Sequence, residues 1–208
     1  TAKMAATPRH LQEWDAAHQT CVGEKEKFYY FAVDFLRDGI RSNPRNFKLY
    51  FDLGFAVYGE KLADYENAVR YLEEAVRLPH ERWVPRQLFL AYEKNNEYTK
   101  AYEGWRSYSQ RFPDNPVAPR FIERAEALAL EQRSEERYAE AEAATDPQVA
   151  AELRAEGDDY WQQAKSRWEN WADTDPFAAG RLARRQAMEL AEEGRYAEAI
   201  GVLDKARW

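Results

Sequence analysis

The chain has 208 residues, of which 45% are hydrophobic and 32% charged, and its formal net charge is −7 at pH 7. This acidic balance argues against nucleic acid as a partner, because phosphate neutralisation supplies most of the affinity of nucleic-acid-binding proteins. No apolar run approaches the roughly 18 residues that a membrane-spanning helix needs, so we expect no membrane insertion. Cys21 is the single cysteine, which excludes an internal disulfide.

Helices are the elements predicted along the whole chain, since no segment sustains the alternating pattern of a strand. They are predicted at residues 8–20, 25–41, 47–60, 65–78, 83–95, 98–111, 117–144, 148–156, 159–173, 177–193 and 196–207. Asn43, Asn115, Asp146 and Asp175 each precede a proline, which places an N-cap acceptor beside a residue suited to the first helical turn. The segment 117–145 is interpreted either as one long helix or as a degenerate repeat.

A repeated motif indicates how these helices pair. It reads Tyr65-x-x-Ala68-x-x-x-Leu72-x-x-Ala75, Tyr98-x-x-Ala101-x-x-x-Trp105-x-x-Tyr108 and Tyr196-x-x-Ala199-x-x-x-Leu203-x-x-Ala206. The first alanine suits the point where two antiparallel helices approach most closely, and the larger residue four positions later fills the groove beside it. Ala68 and Ala101 are 33 residues apart, and Ala164 and Ala199 are 35 apart, which is typical of a helical repeat.

On these residues the chain resembles the tetratricopeptide repeat (TPR) family. Further residues also stand at positions that match the repeat pattern of the family. They are Ala32, Leu36, Gly39, Pro44, Tyr50, Leu53, Gly54, Pro79, Leu88, Tyr92, Pro113, Trp168, Pro176, Ala187, Leu190 and Gly194. The resemblance implies an all-α, right-handed superhelical solenoid of antiparallel helix pairs, with about five repeats, one of them a degenerate long-helix unit. The expected division is an N-terminal array at 1–116, the long or degenerate unit at 117–145 and a C-terminal pair at 146–208, either separate from the first array or continuous with it.

The chain departs from the family pattern between Gly54 and Tyr65, where it has two residues more than the family's spacing. This predicts a longer turn at 59–64. Seven tryptophans are a second unusual feature. Trp105, Trp161 and Trp168 fall at core positions of the repeats, whereas Trp14, Trp83, Trp171 and Trp208 are expected to pack against an irregular element, a neighbouring subunit or a partner.

The first helix of each pair lines a concave groove in the TPR family. Transfer of that face to this chain nominates Lys48, Phe51, Phe55, Tyr58, Trp83, Arg86, Leu90 and Glu93 as groove residues. Such a partly apolar channel suits an extended or helical peptide. Phe51, Phe55 and Tyr58 could equally pack against preceding helices. Family members that clamp a terminal carboxylate use Lys and Asn where Phe51 and Phe55 stand here, so a clamp of that kind is disfavoured.

Catalytic, cofactor and metal motifs are missing from the sequence, so we predict no catalytic residues, no cofactor and no metal. His10, Glu13, His18 and Cys21 could be drawn as a metal site, but His10 and His18 are too far apart along one helix to bind one ion. Arg181, Arg184 and Arg185 share a helix. They could meet an acidic peptide, or form a solvated face paired with Glu189, Glu192 or Glu193.

We therefore predict a non-catalytic scaffold for protein–protein interaction or assembly, which holds a partner peptide or helix on a concave helical surface. One alternative is a structural subunit buried permanently in a homo-oligomer or larger complex, and another is an enzyme on a helical scaffold. The segment 43–50 also resembles repeat proteins of environmental bacteria. We therefore expect a soluble bacterial protein, either cytoplasmic or extracytoplasmic behind an N-terminal anchor that is missing from these 208 residues.

Overall fold

The computed structural model describes residues 27–206, and this part of the chain is all-α, without a strand. The predicted class is therefore confirmed for these residues. Several predictions lie outside the described residues: the helix at 8–20, the metal candidates His10, Glu13, His18 and Cys21, and the tryptophans Trp14 and Trp208.

Helix α1 covers residues 27–42, and α2 (Phe47–Phe51) continues directly into a π-helical segment (Asp52–Leu62). The helices that follow are α3 (Tyr65–Arg77), α4 (Val84–Lys94), α5 (Tyr98–Arg111), α6 (Ala118–Ala143), α7 (Pro147–Glu169), α8 (Pro176–Glu192) and α9 (Tyr196–Lys205). The chain divides into two compact units, unit 1 (Thr1–Asn96) and unit 2 (Glu97–Trp208). The predicted division at residues 116 and 145 stays a prediction.

In unit 1 the helix that carries Gly54 packs against α3 at the alanine of the repeated motif. Ala68 is fully buried and Leu72 nearly so. A Cβ atom added to Gly54 would lie 3.0 Å from both the Ala68 carbonyl oxygen and the Leu72 backbone nitrogen. The two backbones are therefore so close at this crossing that one helix has room for no side chain.

The long turn predicted at 59–64 is wrong, because the additional residues lie within the helix. They are accommodated by π-helical winding, with i to i+5 hydrogen bonds, over Asp52–Leu62. Only Ala63 and Asp64 then connect this segment to α3. Ala63 adopts the left-handed conformation with φ 51°, and the Asp64 carboxylate accepts a hydrogen bond from the Asn67 N–H at 3.1 Å as the N-cap of α3. Extra residues in a sequence do not reveal whether a loop or a wider helix holds them.

The substitution Gly54→Ala tests the close approach between α3 and the helix that carries Gly54. Overpacking costs about 1–3 kcal/mol and is offset in part by the roughly 1 kcal/mol that alanine gains over glycine in a helix. We expect the free energy of unfolding to fall by about 1–2 kcal/mol in urea denaturation followed by circular dichroism. Gly201→Ala in α9 is the control, because nothing lies within 4 Å of an added Cβ there, and it should stabilise. Equal stability of wild type and Gly54→Ala would contradict the packing.

Unit 2 is built around the long helix α6, which confirms the single-helix interpretation of the segment after residue 117. Contacts between α6 and α7 run in opposite order along the two helices: Glu126 pairs with Arg167 at 2.7 Å, and Arg137 pairs with Glu156 at 3.0 Å. The two helices are thus antiparallel. Contacts of α6 with α8 run in the same order, since Glu131 meets Arg181 and Tyr138 meets Arg185, so α8 is parallel to α6.

The two helices predicted at 148–156 and 159–173 are a single helix, α7. The sequence Gly157-Asp158-Asp159 is typical of a turn, but Gly157 lies buried in the middle of α7. Ser134 donates a hydrogen bond to the Gly157 carbonyl oxygen at 2.8 Å, and an added Cβ would lie 3.2 Å from the Tyr138 ring. Gly157 therefore permits close packing of α7 on α6 and does not break the helix.

The predicted N-cap at Asn43 is wrong, because Asn46 caps α2. Asn115 accepts hydrogen bonds from the Val117 and Ala118 N–H groups, but the N-cap position of α6 is Val117.

The predicted N-caps at Asp146 and Asp175 are confirmed. Their carboxylates accept hydrogen bonds from the N–H groups of Gln148 at 2.8 Å and Phe177 at 3.0 Å. Burial alone would raise the pKa of Asp175, but hydrogen bonds from Arg120 and from the Phe177 N–H together outweigh it, so this pKa lies below its ordinary value. The Asp175 carboxylate is therefore a stabilising link between α6 and the start of α8.

The tryptophans predicted for the core are buried, with Trp105 fully enclosed and Trp161 and Trp168 nearly so. Two of the unassigned tryptophans lie within the described part. Trp171 is half-buried and donates its indole N–H to Glu123, whereas Trp83 in unit 1 is 41% exposed. Trp83 is therefore the described tryptophan most accessible to a partner.

Candidate functional site

Three of the predicted groove residues form one aromatic cluster on unit 1, which we define as Phe51, Phe55 and Trp83. The rings of Phe51 and Phe55 stack with centroids 5.2 Å apart. Trp83 meets Phe51 edge to face at 4.9 Å. Phe51 and Phe55 are one helical turn apart, and Trp83 comes from the start of α4, so tertiary packing of α4 completes the cluster.

The three residues of the aromatic cluster differ in their exposure to solvent. Phe51 is buried, Phe55 is half-buried and Trp83 is exposed. Lys48, on the first turn of α2, is also exposed. The indole N–H of Trp83 donates to the Glu81 carboxylate, which holds the ring in place. The arrangement therefore offers a fixed indole face on the surface of unit 1.

Tyr58 lies in the core of unit 1. Its ring stacks on Tyr71 with centroids 5.5 Å apart, and its hydroxyl accepts a hydrogen bond from the Arg37 guanidinium at 2.9 Å. Burial raises the pKa of Tyr58. The side chain therefore joins α1, the π-helical segment and α3, a role that its spacing from Phe51 and Phe55 does not indicate.

The remaining nominated residues lie on α2 and α4. Arg86 and Leu90 are half-buried, and Glu93 is buried. The Nε of Arg86 is shielded from solvent and has no hydrogen-bond partner. A buried donor of this kind costs about 1–3 kcal/mol when it is left unpaired.

Unit 2 contains a cleft of about 650 Å³, lined by side chains of α6, α7 and α8. Its volume lies within the range of small-ligand and peptide pockets. Sequence reasoning singled out the arginines of α8, but the lining residues of α6 and α7 join them only through the packing of the three helices. No motif in the sequence marks this cleft.

The structure divides the three arginines of α8 by role. Arg181 forms an ion pair with Glu131, and Arg185 bonds to Glu189 at 3.1 Å while lying over the rings of Tyr138 and Trp161, both at 5.2 Å. Arg184 is exposed and makes no ion pair among the residues described. Of the two predicted alternatives, the glutamate-paired face therefore applies to Arg185 alone.

Glu131 is the buried anion on the wall of the cleft. Its carboxylate accepts from the indole N–H of Trp168 as well as from the Arg181 guanidinium. Burial, and then the positive charge of Arg184, lower the pKa of Arg181. The trio of Glu131, Arg181 and Trp168 ties together α6, α7 and α8.

In the range 27–206, no three His, Cys, Asp or Glu side chains are placed to hold a metal ion. Within the same range, no helix combines the length and the apolar character needed to cross a membrane.

The aromatic cluster and the cleft are the principal indications of function, because comparisons with known proteins find no match. No protein-family model matches the chain, and a search of curated protein sequences finds no match.

Proposed function

We propose that the protein is a non-catalytic interaction scaffold of TPR type, which holds a peptide or helix of a partner protein on the aromatic cluster of unit 1. The observation that carries this proposal is the direct contact among Phe51, Phe55 and Trp83. The family resemblance nominates all three for the groove, and Trp83 remains 41% exposed after folding.

The proposed solenoid is supported by the packing within each unit. Ala68, Ala101 and Ala164, which occupy the small position of the repeats, are all fully buried. In unit 2, α6 and α7 are antiparallel while α6 and α8 are parallel, which is the arrangement expected for successive helix pairs of a repeat array.

The chemistry of the surface suits a peptide that inserts an apolar side chain. A tryptophan ring held by a hydrogen bond and an aromatic neighbour loses little conformational freedom on binding, and such residues dominate many interfaces. Lys48 adds an exposed ammonium group.

Trp83→Ala is the variant that tests this proposal. We expect the dissociation constant of a captured partner to rise by about tenfold to a hundredfold, while the chain stays folded. Affinity capture with the intact chain provides the partner, and calorimetric titration measures its affinity. Val149→Ala in unit 2 is the control, because Val149 is an apolar residue of similar exposure, 44% against 41% for Trp83, and it belongs to none of the candidate surfaces. Phe51 is less suitable for this test, since its burial couples binding to stability.

A partner retained equally by wild type and Trp83→Ala would contradict the proposal. Cross-linking of the bound partner to residues beside Trp83 would support it independently of the substitution.

Two exposed apolar faces favour a second candidate function, that of a structural subunit in a larger assembly. On α1, Phe28, Phe31 and Phe35 follow a helical spacing and are 70%, 68% and 69% exposed. On α9, Tyr196, Ile200 and Leu203 follow a similar spacing and are also exposed. Contiguous apolar surface of this kind is characteristic of interfaces. Sedimentation velocity would distinguish the candidates, because a structural subunit should self-associate or precipitate alone, and Phe31→Ser should reduce this.

A further inference from the structure

The cleft of unit 2 has a wall that internal contacts already hold in place. Glu131 is bound by Arg181 and Trp168, and Tyr138 donates to Asp158 at 2.6 Å. Arg185 lies over the Tyr138 and Trp161 rings. Because these side chains are fixed before any ligand arrives, binding in the cleft would cost little ordering of the protein.

Two arginines that line the cleft take no part in these contacts. Arg184 on α8 and Arg154 on α7 both line the cleft, and neither forms an ion pair among residues 27–206. Arg184 also stands close enough to Arg181 to lower the pKa of that guanidinium. Both guanidinium groups are therefore available to a carboxylate, which arginine binds well through its planar fork of donors.

The cleft is not uniformly basic. Glu135, Glu142 and Glu192 line it as well, and they too form no ion pair among the residues described. A polyanion such as a nucleic acid would be repelled by these carboxylates. A ligand that carries both signs of charge would be complementary to the cleft, and its apolar part could contact Met188, which is exposed at the same cleft.

We propose that this cleft is a second binding site, which takes a peptide segment of mixed charge and holds one of its carboxylates between Arg154 and Arg184. A basic side chain of the same segment meets Glu135, Glu142 or Glu192. The inference rests on the proposed function in taking the ligand to be a peptide, but it concerns a surface that shares no residue with the aromatic cluster of unit 1.

The test begins with selection of a phage-displayed random-peptide library on the full chain. Enriched peptides should contain an acidic residue beside a basic one. Calorimetric titration should show that Arg184→Ala and Arg154→Ala each weaken binding of such a peptide by about tenfold or more. Arg133→Ala is the matched control, since Arg133 is an exposed arginine of α6 outside the cleft, and it should leave the affinity unchanged.

An exchange of charge between Arg184 and the peptide tests whether the two groups bind each other directly. Arg184→Glu should abolish binding of the selected peptide, and replacement of the peptide's acidic residue by lysine should restore it. Equal affinity of wild type and both arginine variants, or selected peptides without a carboxylate, would overturn the inference. So would a polyglutamate peptide that binds as tightly as the selected one.

The variant Trp83→Ala separates this inference from the proposed function. Peptides of the cleft should bind Trp83→Ala and wild type equally. If every selected peptide depends on Trp83 and none on Arg184, the cleft inference fails while the proposed function stands. If no peptide is enriched over an unrelated helical protein, the cleft inference is overturned, whereas the proposed function is decided by the captured partner and Trp83→Ala.

Discussion

Replacement of Trp105 by alanine should lower the free energy of unfolding by about 3–5 kcal/mol, the loss typical of a large aromatic residue removed from a core. Trp105 is 0% exposed. Its ring stacks on Phe121, with centroids 4.5 Å apart and an interplanar angle of 9°, and it meets Tyr108 edge to face at 6.0 Å. The substitution would leave a cavity between α5 and α6 that rigid helices cannot close.

Urea denaturation followed by far-ultraviolet circular dichroism would measure this loss. The comparison is Trp83→Ala, in which the same side chain is removed from a position that is 41% exposed, so that the expected loss is smaller, about 1–2 kcal/mol. A similar loss in the two variants would contradict the assignment of Trp105 to the core and of Trp83 to the surface.

The second large effect is expected for Arg181→Ala, which should destabilise the protein by about 3–5 kcal/mol because it leaves the Glu131 charge buried without its cation. The side chains of Glu131 and Arg181 are only 8% and 21% exposed, so water can replace little of the lost interaction. The indole N–H of Trp168 would still donate to Glu131, but one neutral donor does not compensate a buried carboxylate.

A double variant separates the loss of the ion pair from the loss of packing. Glu131→Gln together with Arg181→Leu removes both charges, keeps an acceptor for Trp168 and fills the space of the guanidinium. Replacement of a buried ion pair by uncharged groups of similar volume is often close to neutral, so stability should return to within about 1–2 kcal/mol of wild type. Chemical denaturation of the single and double variants provides the comparison. A double variant as unstable as Arg181→Ala would show that packing, and not the buried charge, is responsible.

The predicted helices and the small residues of the repeated motif agree with the structure because both depend on local properties. Ala68 and Ala101 recur at a fixed place in an amphipathic pattern, and the structure buries both. Leu203, the large residue of the third copy, is 47% exposed, contrary to the prediction that it fills a groove. Asp146 and Asp175 act as predicted because a cap needs only the first turn of its own helix. Such features can be recognised from residues only a few positions apart.

The errors came from residues whose local preference was overridden by a neighbouring helix. Gly157 resembles a turn residue, yet close contact with Ser134 and Tyr138 explains its place in α7. The residues added after Gly54 could form a loop in an isolated segment, but the helix absorbs them in π-helical winding and still presents Gly54 to Ala68. The relevant contact is in each case distant in sequence, so a local pattern does not contain it.

In the candidate sites, too, some features follow from the local sequence and others depend on contacts between distant residues. Phe51, Phe55 and Trp83 could be nominated from the repeat frame, while Tyr58, from the same frame, is held in the core by Arg37 and Tyr71. The arginines of α8 were visible as a cluster, but nothing in their spacing distinguishes the internally paired Arg181 from Arg184.

The sequence by itself therefore determined the helical class, most helix positions and the small residues at which helices meet, since these follow from periodicity and capping. Only the tertiary structure decided which aromatic rings meet, which arginine remains available and where the cleft lies. Those properties depend on side chains that several helices bring within a few ångströms of one another, and burial and pairing are set by that proximity.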